Sequence, residues 1–384
     1  MPTIHLIAPF HTISNVASSH CAFTQKSVRF SKTMHLIEEA GARKYRIIEY
    51  SNEGSESEAD EHVVMLSADE FKVHFKPETT SPGAQANVNT PGCALFKARL
   101  VDALIPRAKM GDIVAHVFGP NLHTAIVQRF PGLVHVETGI GYPWAPMGCY
   151  PIFESEAWRH YQWGRYGNPG GVLPTGNIAL TPARTWVIPN YFNVEEWPVS
   201  TTPENAVVFM SRFVIDKGID MLARVIKAWD QRHPNDGMKF VIAGMGDFVG
   251  WMNGSGFSPT ELARIEHRGI VNGLDRATLL GSGKAFILPT IFVEPFGGAA
   301  IEAMLCGTPV LTPTFGAFTE TVEQGVTGFR CRTVDDYVRG IENASTAIDR
   351  GFVGRRARER YSLEACGKTY DAVFKELTQR PSIE

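Results

Sequence analysis

With 384 residues the chain exceeds what one ordinary hydrophobic core organises, so two domains are expected, and a hydrophobic content of 44% can fill both. A formal net charge of −3 argues against a broad nucleic-acid or membrane surface, although a local basic patch would not show in such a total. The six cysteines (Cys21, Cys93, Cys149, Cys306, Cys331, Cys366) lack the paired spacing of a zinc or dithiol motif, no stretch is apolar enough to span a bilayer, and the N-terminus does not read as a signal peptide. The expected setting is therefore cytoplasmic, with a peripheral place at a membrane surface left open.

In chain order, residues 3–8 form an apolar run ended by Pro9, the mark of a first parallel strand. A polar loop from His11 leads to a helix expected over 24–40, with Gly41 placed to stop it. Residues 44–50 read as a second strand, so the opening is βαβ and implies a parallel sheet. It lacks a GxGxxG turn, which counts against a dinucleotide-dependent oxidoreductase. His11 and His20 could reach a ligand from the loop or stand there as solvated side chains. The acidic stretch 52–61 and the residues through Pro91 show little periodicity and read as an inserted, solvated loop that could face an acceptor.

Alternation resumes with a helical pattern over 93–108, a strand over 112–118, a helix over 122–129 and a strand over 133–136. The sequence ETGIGYPW, 137–144, then reads as a glycine-rich turn at the carboxyl end of a parallel strand, where open α/β sheets bind ligands. Glu137 there could accept a proton or oppose developing positive charge, or simply hydrogen-bond the turn. Glu154, Glu156, Trp158, Arg159 and His160 could line a groove that stacks on sugar rings, with core packing the stronger reading for Trp158. Residues 164–176 are a glycine-rich loop without a phosphate motif.

A strand over 184–188 is followed by Pro189, Asn190, Tyr191, Phe192 and Asn193, which break regular structure as an interdomain linker must. The strand 206–210 leads into SRFVIDKG, where Arg212 and Lys217 can turn to one point at the carboxyl end of the sheet. A guanidinium fork and a compact ammonium together suit a diphosphate. Residues 239–243 form the next strand, ended by Gly244, Met245 and Gly246. A short strand follows over 267–271, then a helix from Gly273 with Asp275 as its N-cap. After a buried strand over 286–289, Glu294 sits in a loop that opens into a helix of small residues starting near Gly297 or Gly298. The free N–H groups and positive dipole of that helix end attract phosphate, and the two glycines allow close approach to the backbone. Glu302 lies further along, so two carboxylates would flank a bound anion and meet hydroxyl groups on either side of it. A nucleotide sugar has that pattern. A loop over 316–320, a strand over 326–329 and a final amphipathic helix from GRRARER (354–360) to about Leu377 complete the chain.

Glu294 and Glu302, with Phe296, Gly297, Ala303, Met304, Gly307, Pro309 and Val310, resemble the E-x7-E signature of retaining GT-B glycosyltransferases of family GT4, the glycosyl transferases group 1. The spacing of Arg212, Lys217 and Gly218 resembles the R-x4-KG element of that family, and residues 189–193 resemble its linker, with Tyr191 where glycine is usual. The resemblance implies an α/β GT-B fold of two Rossmann-like domains with parallel sheets facing a central cleft. The implied division is an acceptor-side domain over 1–190, a linker over 191–204, a donor-side domain over 205–355 and a helix over 356–384 crossing back to the N-terminal domain. Glu294 would contact the donor sugar, Glu302 the ribose, the backbone from Phe296 to Gly298 the diphosphate, Arg212 and Lys217 the departing phosphate, and Gly244 the side of the nucleotide. The histidine that often stands at the end of the corresponding N-terminal strand is replaced by Glu137, so its role falls to Glu137, to the neighbours His135 or Thr138, or to His116.

The implied catalytic set is therefore Glu294, Lys217, Arg212 and Glu137. The implied reaction is metal-independent transfer of a glycosyl group with retention, from a nucleotide diphosphate sugar whose base is expected to be UDP or GDP, with no separate cofactor. The acceptor (glycan, lipid, protein, metabolite or modified nucleic acid) and the oligomeric state stay open. Alternatives are a GT-B-like epimerase or phosphorylase and a catalytically silent nucleotide-sugar-binding partner subunit. Product analysis separates the first pair, and the intact Arg212, Lys217, Glu294 and Glu302 set disfavours the last.

Overall fold

The computed structural model describes residues 1–14, 22–75, 88–118, 123–143, 148–166 and 184–379, so His20, Cys21, Trp144 and most of the 164–176 loop lie outside the described residues. The chain divides into two units. The first comprises Met1–Glu154, Arg159–Phe192 and Leu363–Glu384, and the second Ser155–Trp158 and Asn193–Ser362.

The first unit is built on seven parallel strands: β1 (Thr3–Ile7), β2 (Arg46–Ser51), β3 (Glu61–Val64), β4 (Ile113–His116), β5 (Val134–Ile140), β6 (Tyr150–Phe153) and β7 (Trp186–Val187), in the order β3-β2-β1-β4-β5-β6-β7. Because the sheet is covered on both faces, its central strands are apolar almost throughout instead of alternating. Ile4, Leu6 and Ile47 pack on one face with Phe30, Tyr370 and Phe374, while Ile7 and Ile48 face Phe10, Phe96 and Leu100 on the other.

Four sequence expectations change here. The first helix is Ala22–His35, and Gly41 stops nothing: Ala40 (φ +54°) and Gly41 (φ +78°) form the left-handed turn of a short hairpin pairing Glu38–Glu39 with Ala42–Arg43. The stretch read as an insertion contains β3 and the helix Ala68–His74, whose Ser67 and Glu70 close a reciprocal capping box. Its S-x-x-E spacing was visible in the sequence. Glu137 lies inside β5, not in a turn after it, because the strand continues to Ile140 through a register shift. Finally, the C-terminal helix is two helices, Arg350–Tyr361 and Leu363–Gln379, parted by extended backbone at Ser362 (φ −68°, ψ 159°).

That break is where the chain returns to the first unit. In the first of these helices Arg356 and Arg360 pair with Glu323, and Arg358 donates to the carbonyl of Val194, so these arginines are committed to their own unit. In the second, Asp371 accepts from Lys44 Nζ and Tyr45 OH, each at 2.6 Å.

The second unit has six parallel strands: β8 (Ala206–Met210), β9 (Lys239–Ala243), β10 (Ile265–Gly269), β11 (Ala285–Ile287), β12 (Val310–Pro313) and β13 (Gly328–Cys331), in the order β10-β9-β8-β11-β12-β13. The helix after β10 runs Gly273–Ser282 with Asn272 at its cap, so Asp275 is a first-turn residue and not the N-cap. Buried Arg350 braces this unit by donating to the carbonyls of Ser200 (2.7 Å), Gly281 (2.7 Å) and Gly283 (2.8 Å) and to Thr308 Oγ1 (2.8 Å). Burial lowers its pKa to about 10, so it stays charged at neutral pH. Among the described residues no helix is long and apolar enough to cross a membrane.

Candidate active site

The loops at the carboxyl ends of β8, β9 and β11 are tied to one another through the backbone. Asp216 O accepts from Ile291 N (3.0 Å), Phe292 N (3.2 Å) and Thr290 Oγ1 (2.6 Å), which joins the loop after β8 to the loop after β11. Gly218 sits where this junction is tightest: a Cβ there would lie 1.8 Å from Pro289 O. Gly244 joins the loops after β8 and β9 in the same way, since a Cβ would lie 1.7 Å from Ser211 O. Its glycine is therefore required by contact between loops, whatever binds beside it.

Within this frame Lys217 and Glu294 form an ion pair, their side chains only 14% and 9% exposed, with the ammonium 5.2 Å from the Phe292 ring centre. Glu294 is held from its other side too, because its carbonyl accepts from Ala317 N (3.1 Å). Arg212, by contrast, is exposed and has no side-chain partner among the described residues. The two cations assigned to one point are thus placed differently, Lys217 on the carboxylate and Arg212 towards solvent.

The following helix is Gly298–Leu305, capped by Gly297 at φ +78° with no side-chain hydrogen bond on its first N–H groups. The fold explains Gly297, since a Cβ would add to a left-handed backbone and meet Phe318 Cε1 at 2.5 Å. It does not explain Gly298, where a Cβ would find nothing within 4 Å. Phe296 anchors the turn by burying its ring against Tyr361, 5.6 Å between centres, leaving only its backbone for a ligand. Glu302, one helical turn further, accepts from Arg276 Nε (2.8 Å) and Nη2. Arg276 was missed in the sequence because a single helical arginine carries no spacing signature.

Residues 204–346 match the model of the family described as glycosyl transferases group 1. The chain is 32% identical over 125 residues to an uncharacterized glycosyltransferase of Methanocaldococcus jannaschii, covering 33% of this chain and 31% of that protein. It is 29% identical over 182 residues to glycogen synthase of Mycobacterium tuberculosis, covering 46% and 43%. The chain therefore spans less than half the length of these two relatives. Among solved structures, Anabaena HepE in complex with UDP and glucose superposes with a TM-score of 0.64 at 16% identity, covering 98% of this chain and all of that one. Residues 204–346 are a glycosyl transferases group 1 domain. The likeness over the whole chain is one of fold, and the fold is GT-B.

The group 1 domain therefore contains Arg212, Lys217, Gly244, Glu294, Phe296, Gly297, Gly298 and Glu302, whereas Glu137 belongs to the first unit. There Glu137 is buried, accepts a hydrogen bond from Tyr142 OH and lies opposite His116 in the sheet register. Tyr142 packs on Phe118 (5.0 Å between ring centres) and Phe118 on His11 (5.1 Å), so these side chains form one aromatic row at the ends of β1, β4 and β5. Burial lowers the His11 pKa to about 4 and keeps the ring neutral.

His116 and His135 stack with their facing nitrogens 3.4 Å apart, and His135 donates from Nε2 to Phe130 O (2.9 Å). These bonds make His116 Nε2 the donor to His135 Nδ1, and burial lowers the His135 pKa. Neither histidine has Glu137's tie to Tyr142. Thr138 is committed too, donating to His116 O at 3.2 Å.

A further residue that sequence reasoning missed is Lys26. Its buried ammonium donates to Gly139 O (2.6 Å) and Glu154 (2.5 Å), so Glu154 is part of the support of β5 and not a groove residue. Trp158 is buried and packs beside Phe292, as its core reading anticipates. Glu320 takes up the N–H groups of Glu156 and Ala157.

Proposed function

We propose that the chain is a retaining glycosyltransferase that moves a sugar from a nucleotide diphosphate sugar to an acceptor without a divalent cation. The observation that carries this reading is Gly298: a glycine with no steric reason to be one, at a helix N-terminus without a side-chain cap, between two carboxylates that each hold a cation.

In this reading the diphosphate lies on the first N–H groups of the helix Gly298–Leu305, and Gly298 leaves room for its oxygens. Arg212, with no carboxylate to satisfy, swings onto the phosphate, and Lys217 neutralises the charge that grows on the leaving oxygen as the anomeric bond breaks. Glu294, held by Lys217 and by the backbone around it, accepts hydrogen bonds from sugar hydroxyls. Glu302, oriented by Arg276, accepts from the ribose hydroxyls, and Gly244 keeps the adjoining loop close. Glu137 is assigned the role of a carboxylate for the reacting sugar, with Tyr142 fixing its rotamer. The UDP and glucose bound by the Anabaena structure favour UDP as the first donor base to test.

The experiment is a thermal-shift and mass-spectrometric screen against UDP-, GDP- and ADP-sugars, with Arg212→Ala and Glu302→Ala as controls. Stabilisation by one nucleotide family, lost in both variants and accompanied by slow sugar release that survives EDTA, is the expected result. A folded protein that none of these donors stabilises would overturn the reading in favour of a silent partner subunit. An altered nucleotide sugar formed without acceptor would favour an epimerase.

A further inference from the structure

The second unit also holds a cavity of about 570 Å³ that shares no residue with the proposed donor site. It opens at β13, the edge strand, between that strand and the helix Val334–Ala347. Gly340 sets this helix low on the sheet, since a Cβ there would lie 2.8 Å from Leu311 Cδ2. The lining is charged, with Arg330, Arg332 and Arg339 facing a single carboxylate, Asp336.

That carboxylate is already used. Asp336 accepts from Arg332 N (2.9 Å), Thr333 N (3.0 Å) and Arg339 Nη2 (2.5 Å), and these backbone and side-chain bonds hold its pKa below the ordinary value against burial. Arg339 is correspondingly neutralised by Asp335 and Asp336. The other two guanidiniums are not. Arg330 reaches only the carbonyl of Thr319, at 3.3 Å, and Arg332 has no side-chain partner among the described residues. In the same unit Arg232, Arg264, Arg276 and Arg356 pair with carboxylates and Arg350 and Arg358 are taken up by backbone carbonyls, so Arg330 and Arg332 are two nearly uncommitted guanidiniums at one cavity, as Arg212 is at the proposed donor site.

The neutral groups of the lining have capacity left as well. Gln324 uses its oxygen on Arg330 N (2.7 Å), which leaves its NH₂ to donate. Asn343 uses its NH₂ on Arg339 O (2.8 Å), which leaves its oxygen to accept. Cys331 adds no reactivity, because burial pushes its thiol up to about 12.

We propose that this cavity binds a small soluble phosphomonoester with a hydroxylated skeleton, Arg330 and Arg332 taking the phosphate and Gln324 and Asn343 the hydroxyl groups. The volume falls within the range of about 300–1,000 Å³ typical of small-molecule sites. A phosphate offers oxygens to both guanidinium forks at once, which a carboxylate offers less fully.

The test is isothermal titration calorimetry of the full chain with a hexose monophosphate, the matching free hexose and inorganic phosphate. The monophosphate should bind one to one, more tightly than inorganic phosphate, and the free hexose not at all. Arg330→Gln and Arg332→Gln should each weaken it about ten-fold, the loss expected for one charge-assisted contact, with unfolding temperatures nearly unchanged because Arg330 makes a single long bond, to Thr319 O, and neither guanidinium pairs with a carboxylate. Lys217→Ala should leave this binding intact. Binding that survives both arginine substitutions, or that disappears with Lys217→Ala, would assign the phosphoester elsewhere and overturn the proposal. No heat with the monophosphate at millimolar concentration, or retention only on vesicles carrying phosphatidic acid, would overturn it equally. None of these results depends on turnover, so the donor-site reading stands or falls separately.

Discussion

In the second unit the loops at the strand ends are fastened by backbone acceptors and glycine contacts: Asp216 O gathers three donors, and Gly218 and Gly244 let chain segments touch. The first unit is fastened by buried side chains far apart in sequence, Lys26 with Glu154 across 128 residues beside the end of β5, and Lys44 with Asp371 across 327 where the last helix attaches. Backbone clamps demand particular residues at fixed local spacing, which is why the second unit carries a dense motif. Side-chain pairs can be exchanged for other buried pairs without local trace, so a unit built on them carries no dense motif. Four substitutions, the last with an internal control, probe this contrast.

The largest expected effect is on the brace of the second unit. Arg350→Ala leaves the buried carbonyls of Gly281 and Gly283, the half-buried carbonyl of Ser200 and the Thr308 hydroxyl without this donor, and should cost at least about 3 kcal/mol of stability, since hydrogen bonds to a charged group are worth about 1.5–3 kcal/mol each. Urea unfolding measures it. A loss under about 1 kcal/mol would mean that water replaces the guanidinium and that the clamp is not structural.

Next comes Lys217→Ala, which should lower turnover by roughly 10²–10³-fold, about 2.7–4 kcal/mol of transition-state energy, if Lys217 meets charge on the leaving group. Both side chains are mostly buried, so the Glu294 carboxylate loses its cation and the unfolding temperature should fall too, but the variant should stay folded at assay temperature with turnover lost well beyond any loss of folded protein. Near-normal turnover would reduce Lys217 to a positioning residue for Glu294.

What was legible follows the same division. The strands over 206–210 and 239–243 are found at the residues expected from their apolar runs, and the E-x7-E stretch is found as a loop and helix. The ion pairs that complete the site, Glu294 with Lys217 and Glu302 with Arg276, were not legible, because partners that meet across loops share no period. In the first unit β3 escaped notice since its four residues alternate between half-buried and exposed beside an acidic stretch. Glu137 was placed in a turn because Gly139 and Gly141 look like turn residues. Their glycines instead make room for the buried pair, with a Cβ at Gly139 falling 2.2 Å from Lys26 Nζ and one at Gly141 falling 2.4 Å from Glu154 Oε2.

A smaller effect tests the side-chain fastening of the first unit. Burial pushes the Asp371 carboxyl up, but hydrogen bonds from Lys44, Tyr45 and Lys375 outweigh it and hold the pKa below the ordinary value. A depressed carboxylate pKa stabilises the fold above the unfolded value of about 3.9, and that contribution is lost as pH falls through the folded value. Asp371→Asn should therefore cost about 1.5–3 kcal/mol at neutral pH, the worth of hydrogen bonds to a charged group, and progressively less below about pH 4. Equal deficits at both pH values would show that packing of the last helix, not the charge, sets its attachment.

The smallest change is the most discriminating. Gly298→Ala adds a methyl group that meets nothing within 4 Å at an ordinary helical φ, so by the fold alone it should be neutral or stabilising by about 0.4–1 kcal/mol. Gly297→Ala is its internal control: the left-handed φ of +78° and the Phe318 ring at 2.5 Å predict a loss of stability one residue away. If a diphosphate rests on the amides of this helix, Gly298→Ala should weaken nucleotide-sugar binding about ten-fold or more while the unfolding temperature holds or rises, because the methyl occupies the space the ligand needs. Unchanged affinity in a stabilised protein would mean that the ligand never approaches this backbone. Lys217 and Glu294 would then be one more clamp of the second unit, like Asp216 and Gly218, rather than the chemistry those clamps hold in place.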